Sequence, residues 1–387
     1  FTEALARRDP ALADAFAEAW TFAAPADERA GSLVALARAR AARGDVEGQL
    51  ALALQPGANQ LGVVRSEAFS GLLLRAGLPA LLAEQIALRA RDAAGDERCR
   101  LLVERMRVLA GPLSDSVAAA RASADVLAQA PAEPEALSRL EAYLDSEQVG
   151  PGALAALVDR VARAEGPLGP LADLVAAAGA RAKNPGLEVV GLRAALLNGD
   201  SPKLRERLAS AEAACHARLA PPSGPITPEW RRDRLRILGA LAERRDEWSR
   251  EVDAYLHDGP WSAEVLELAV ERALATGEVE QALRWARAGL ERALGTQRSA
   301  ARRLLLRAML AAGGAGDPPS LGLDARDPAD AANAPLALLV AIGAGDVAAL
   351  AGACEALAPT APPRTAAALL RAGARALLSA GLVGEAR

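Results

Sequence analysis

An apolar helical stripe, a glycine and a second apolar helical stripe recur along this chain, and that unit constrains the fold more than any other feature. In Glu264 to Leu274, the residues Val265, Leu266, Leu268, Ala269 and Ala273 fall at offsets that share one helix face. A break follows at Thr276-Gly277. Then Val279, Ala282, Leu283, Ala286, Leu290 and Leu294 make a second stripe that ends near Gly295. Two stripes separated by a short break form a helical hairpin, because glycine accepts the left-handed backbone that closes a helix. Alternating runs of valine, isoleucine, threonine and aromatic residues are missing, and aromatics are only 3% of the chain, so no sheet is expected.

Glycines recur at a matching phase. Gly277, Gly313, Gly345 and Gly381 are spaced by 36, 32 and 36 residues, and Gly44, Gly77, Gly111 and Gly150 by 33, 34 and 39. If each begins a turn, the residue five places on should be small or apolar, where the second helix packs on the first. That position is Ala282, Leu350, Ala386, Leu82 and Ala155, with Leu204 after Gly199; Gln49, Ser116 and Pro318 depart from it.

Gly277-Glu278-Val279-Glu280-Gln281-Ala282-Leu283 resembles the turn and second-helix start of the tetratricopeptide repeat, a pair of antiparallel helices of about 34 residues. Gly44-Asp45-Val46-Glu47, Gly345-Asp346-Val347 and Gly381-Leu382-Val383-Gly384-Glu385-Ala386 are weaker, degenerate copies. The family's large first-helix residues are replaced, with Ala37 and Val270 standing seven before Gly44 and Gly277, and its proline recurs loosely as Pro56, Pro131 and Pro359. The resemblance implies an all-α, right-handed solenoid of stacked antiparallel hairpins, whose first helices line a groove that holds a peptide, a helix or a partner subunit. In such an array each hairpin covers its neighbour's apolar face, so stability propagates locally. Deleting the segment after Pro359 should then leave a soluble remainder.

Two segments interrupt the period. Pro221-Pro222-Ser223-Gly224-Pro225-Ile226-Thr227-Pro228 cannot be helical. It divides the chain into an array at 1–220, a linker or loop at 221–228, and a second array at 229–387. A loop at 314–335, with Pro318, Pro319 and Pro328, breaks the second array. Between Gly166 and Gly199 the glycine phase slips, which points to an extra or longer helix.

Charge and cysteine usage narrow the function. The chain has 387 residues, 45 basic and 49 acidic, for a net charge of −4; nucleic-acid partners usually meet a basic excess, so none is expected. Only Lys183 and Lys203 are lysines, which disfavours the lysine-based carboxylate clamp found in some tetratricopeptide proteins. Cys99, Cys215 and Cys354 are far apart and odd in number, and are expected as small buried residues in a reducing compartment. Apolar runs such as Pro335 to Ile342 are too short to cross a membrane. The cytoplasm is the expected location, with the periplasm as the alternative if a signal peptide precedes Phe1; the full-length protein is expected to continue past Arg387.

Searches for chemistry return little. His216 and His257 lack a partner at ligand spacing, neither lysine completes a phosphate loop, and no nucleophile elbow occurs. Asp145 with Glu147, or Asp246 with Glu247, are nominal carboxylate pairs, but the aromatic platform that sugars need is missing. No enzyme activity, metal, cofactor or small-molecule substrate is therefore expected.

The residues best suited to a protein partner are aromatic and basic. Trp230, Trp248, Trp261 and Trp285 cluster in sequence, apart from Trp20; most should fill the core, while Trp230 and Trp261, each beside a proline and a loop, are candidate anchors. Arg231 and Arg232 flank Trp230, and the stretch Arg298 to Arg307 places Arg298, Arg302 and Arg303 on roughly one face. Guanidinium groups there would suit an acidic peptide or another anionic partner. The expected function is a non-enzymatic scaffold or adaptor. The alternatives are a helical accessory region of a larger enzyme or signalling protein, or an envelope assembly subunit.

Overall fold

A computed structural model of the chain describes residues 16, 36, 39–40, 43–54, 64–145, 169–313 and 331–382. Gly150, Gly166, Trp20, Ala37, Pro56, Glu147, Ala155 and Val383 to Ala386, and Pro318, Pro319 and Pro328 of the loop expected at 314–335, lie outside those residues, whereas Pro335 is in a helix and not in that loop. The described residues form an all-α structure without strands. They fall into two compact units, one built from 1–78 and 318–387 and the other from 79–317. In chain order the helices are α1 (Val46–Ala53), α2 (Glu67–Arg75), α3 (Pro79–Asp92), α4 (Gly95–Ala110), α5 (Ser116–Leu127), α6 (Pro134–Asp145), α7 (Pro170–Arg181), α8 (Pro185–Asn198) and α9 (Pro202–Leu219). They continue with α10 (Pro228–Ala240), α11 (Arg245–Asp258), α12 (Ala263–Ala275), α13 (Val279–Arg292), α14 (Gln297–Ala311), α15 (Ala334–Ala344), α16 (Val347–Leu357) and α17 (Pro363–Ser379).

Short-range chemistry explains where the helices start and stop. Gly345 ends α15 at φ +68°, which brings the Asp346 N–H to the Ala341 carbonyl at 3.0 Å. The Asp346 carboxylate then accepts from the Ala349 N–H at 2.9 Å and starts α16. Gly44-Asp45 does the same work before α1, where Asp45 accepts from the Gly48 N–H at 2.8 Å. Of the eight turn glycines expected from the period, Gly44, Gly77, Gly277, Gly313, Gly345 and Gly381 are left-handed. Gly111 is not, with φ −91°; the left-handed residue of that turn is Ser114 at φ +50°.

The slip of phase before Gly199 has a similar cause. Helices α7 and α8 form an ordinary hairpin, but its left-handed residue is Lys183 at φ +52°, with the Asn184 N–H on the Gly179 carbonyl at 2.9 Å. Asn184 then caps α8 through the N–H groups of Gly186 and Leu187. A glycine count cannot see this turn. Because a left-handed L-residue is strained, Lys183→Gly should raise stability by about 0.5–1 kcal/mol after the entropy that glycine adds to the unfolded chain. Urea unfolding would show this as a higher midpoint at constant slope; a lower midpoint would contradict it.

The first unit joins both ends of the chain. Helix α17 packs on α1 and α16, and α1 on α2. Thr365 at the start of α17 donates its hydroxyl to the Ala76 carbonyl at 2.8 Å. Helix α15, apolar from Ala334 to Ile342, is buried along that whole length, as a helix without a polar face must be. Residues from the two ends of the sequence thus share a core, and the segment after Pro359 is part of the first unit.

The second unit is a stack in which consecutive helices from α3 to α6 and from α7 to α14 pack as neighbours, with α8 on α10, α10 on α12 and α12 on α14 as well. Ala282 and Leu82 are buried at the fifth position after their glycines, whereas Ser116 is exposed. Close approach is greatest between α7 and α8. A Cβ on Gly191 would lie 2.4 Å from the Ala176 nitrogen, and one on Gly179 would lie 2.4 Å from the Glu188 nitrogen. Trp248 and Trp285, each 1% exposed, meet edge to face at 5.5 Å, and the Arg272 guanidinium lies 4.3 Å over Trp248.

This unit departs from an open array in one respect. Arg91, in the last turn of α3, donates to the Leu310 and Ala311 carbonyls at the end of α14, at 3.0 and 2.7 Å. The first and last helices of the unit therefore meet. These contacts join residues 219 and 220 positions apart in sequence.

Candidate functional site

The residues chosen from the sequence fall on two helices. Thr227 caps α10, accepting from the Trp230 N–H at 3.2 Å, so Trp230, Arg231 and Arg232 stand in its first turn beside the exposed segment 221–229. Trp230 is half-buried, with the Arg234 guanidinium 5.3 Å over its ring. Arg232 pairs with Glu229 at 3.2 Å, whereas Arg231 makes no ion pair among the described residues. Trp261 is more firmly held: its indole N–H donates to the Gly289 carbonyl at 3.1 Å, which ties the loop before α12 to α13. Arg298 is exposed on α14 without an ion pair among the described residues, and Arg302 is half-buried. Helix α10 packs on α8, α9, α11 and α12, and α14 on α12 and α13. The Trp230 group and the Arg298 group therefore stand on different helices, both of which pack on α12.

A denser charged site lies on facing sides of α3, α4, α5, α12 and α14. Three helices each present a pair of charged residues four apart: Arg121 and Asp125 on α5, Glu267 and Glu271 on α12, Arg303 and Arg307 on α14. Four residues make one helical turn, so both members of each pair share a face. Arg121 pairs with Glu267 and Arg307 with Glu271. Arg105 of α4 reaches Asp125 at 3.5 Å, with side-chain exposures of only 15% and 18%.

The environment separates the arginines. Burial opposes the charge of Arg307, but Glu271 and Glu84 outweigh it and hold the guanidinium above its ordinary value. Burial instead pulls Arg105 below its ordinary value, against the favourable field of Glu84. Arg303 is also held low, first by the charge of Arg307 and then by burial. It forms no hydrogen bond or ion pair among the described residues, and Glu84 and Asp115 act on it through space. The Nε atoms of Arg105, Arg121 and Arg303 are all buried without an acceptor among those residues.

Other candidates have structural surroundings. Cys215 and Cys354 are buried and Cys99 is half-buried. Burial pushes the Cys215 thiol up to about 11 and the Cys354 thiol up to about 12, so neither supplies a thiolate near neutral pH. His216 and His257 are exposed, and His257 contacts its neighbour Asp258 at 2.5 Å. Glu247 is paired with Arg234 and with Arg244, while Asp246 is exposed. No cluster of metal-ligating side chains occurs among the described residues, and none of the helices searched there is long and apolar enough to cross a membrane.

Sequence reasoning singled out the stretch Arg298 to Arg307 but favoured its exposed side. The signal for the inner site was the spacing of charges by four within otherwise apolar stripes. The partners were not readable, because Arg121 and Glu267 lie far apart in sequence and meet only through tertiary packing. Comparison with protein-family models, with curated proteins and with solved structures finds no match for this chain.

Proposed function

We propose that this chain is a non-enzymatic interaction scaffold, a degenerate tetratricopeptide-like, right-handed array of helical hairpins that holds a protein partner. The observation that supports the reading best is the foot of α10. There a half-buried tryptophan, stacked under one guanidinium and followed by Arg231, which has no ion pair among the described residues, stands beside an exposed proline-rich segment. Large flat rings beside arginine are the side chains that most often dominate protein interfaces. The hairpin framework holds them in place at little entropic cost, since Thr227 caps the helix that carries them.

The test is capture from the native source with the wild-type chain and with a Trp230→Ala, Arg231→Glu variant, followed by mass spectrometry. Removing one central anchor typically costs 2 kcal/mol or more, roughly a thirtyfold loss of affinity. A specific partner should be retained by the wild type and lost by the variant. A partner set unchanged by the variant would remove α10 from the interface.

A further inference from the structure

A charged side chain enclosed by protein is normally paired, because desolvation without compensation is costly. Arg303 breaks that rule. It is half-buried, its Nε is shielded, and it makes no hydrogen bond or ion pair among the described residues. Its nearest strong influence is the like charge of Arg307, one helical turn away. Glutamine there would keep much of the length and remove the repulsion. The fold thus carries an arginine that no hydrogen bond or ion pair holds among the described residues, and such residues concentrate at functional sites.

The neighbours complete the case. Arg121 and Arg105 each use one terminal nitrogen on a carboxylate, Glu267 and Asp125, and leave a buried Nε–H without an acceptor. Arg303, Arg105 and Arg121 thus each keep a shielded Nε–H that has no acceptor among the described residues. Long charged side chains link α5 to α12 through Arg121 and Glu267, and Arg91 of α3 reaches main-chain carbonyls of α14. Guanidinium edges match the two oxygens of a carboxylate or a phosphate. Glu84, Asp125, Glu267 and Glu271 match Arg105, Arg121, Arg303 and Arg307 in number, so the site has room for one oxyanion group at most and none for a polyanion.

We propose that Arg303, together with Arg105 and Arg121, forms a binding site for a single oxyanion, a carboxylate or phosphate group, on the inner face of the second unit. The proposal deepens the scaffold reading, on which it rests, by giving the partner's chemistry: an anionic group inserted between α5 and α14.

Thermal unfolding of the whole chain in sodium acetate, sodium phosphate and sodium chloride at equal ionic strength tests it. For a unit of this size, saturation should raise the midpoint in acetate or phosphate by about 2–4 °C over chloride. A response to acetate alone identifies a carboxylate site, and a response to phosphate alone a phosphate site. Arg303→Gln should abolish that difference while unfolding in chloride at or above the wild-type temperature, and Arg303→Lys should restore part of it. Equal midpoints in all three salts would overturn the proposal, as would a marked loss of stability by Arg303→Gln in chloride, which would make the residue a structural partner. Partner capture that persists alongside equal midpoints would sink the oxyanion site and leave the scaffold reading standing.

Discussion

Removal of residues 360–387 should unfold the helices of the first unit and leave those of the second protected. The deleted segment contains α17, whose Ala368, Leu369, Ala372, Ala376 and Leu377 are buried and which packs on α1 and α16. Each leucine contributes about 1.5–3 kcal/mol when fully buried. The hydroxyl of Thr365 also supplies the donor for the Ala76 carbonyl at the end of α2, a group that would otherwise lack its partner in a buried setting. Together these losses approach the whole stability of a small domain, roughly 5–15 kcal/mol. Hydrogen exchange would show it directly, as lost protection in α1, α2 and α15 with slow exchange retained in α12 and α13. Unchanged protection in α1 would mean that the two ends of the chain do not depend on each other.

The second large effect is expected at the crossing of α7 and α8. Gly191 faces Val175 and Ala176, and Gly179 faces Leu187 and Glu188, each with main-chain atoms under 3 Å from the place a Cβ would occupy. Flexible side chains can move aside for a new group, but a helix backbone cannot do so without separating the pair. Gly191→Leu should therefore cost about 3 kcal/mol, at the upper end of ordinary overpacking, measured as a shift of the denaturant midpoint. Gly352 in α16 is the control, because nothing lies within 4 Å of its added Cβ. Gly352→Ala should be neutral or raise stability by up to about 1 kcal/mol, from helix propensity. Similar losses at both positions would show that helix propensity and not close packing governs the response.

Much of the local structure was legible because its causes are local. Thr276-Gly277 was recognisable as a turn since glycine alone is unstrained at that φ, and Asp346 as a helix start since its carboxylate reaches an N–H three residues on. The same logic missed the turn at Lys183, where tertiary packing holds a strained residue in the glycine position. It also chose Gly111 in place of Ser114. The tryptophans were partly legible: burial of Trp248 and Trp285 follows from their size, but the tether from Trp261 to Gly289 joins a loop to a helix that no spacing rule connects.

Periodicity of apolar residues and turn chemistry were enough to establish that this chain is helical, that its helices pair and roughly where they end, because those properties depend on interactions within a few residues. They could not establish which distant helices meet. The pairing of Arg121 with Glu267, the reach of Arg91 to the end of α14 and the docking of α17 on α1 each join residues far apart in sequence. Those contacts are decided by the packing of helices from separate parts of the chain, and no single sequence window contains both partners.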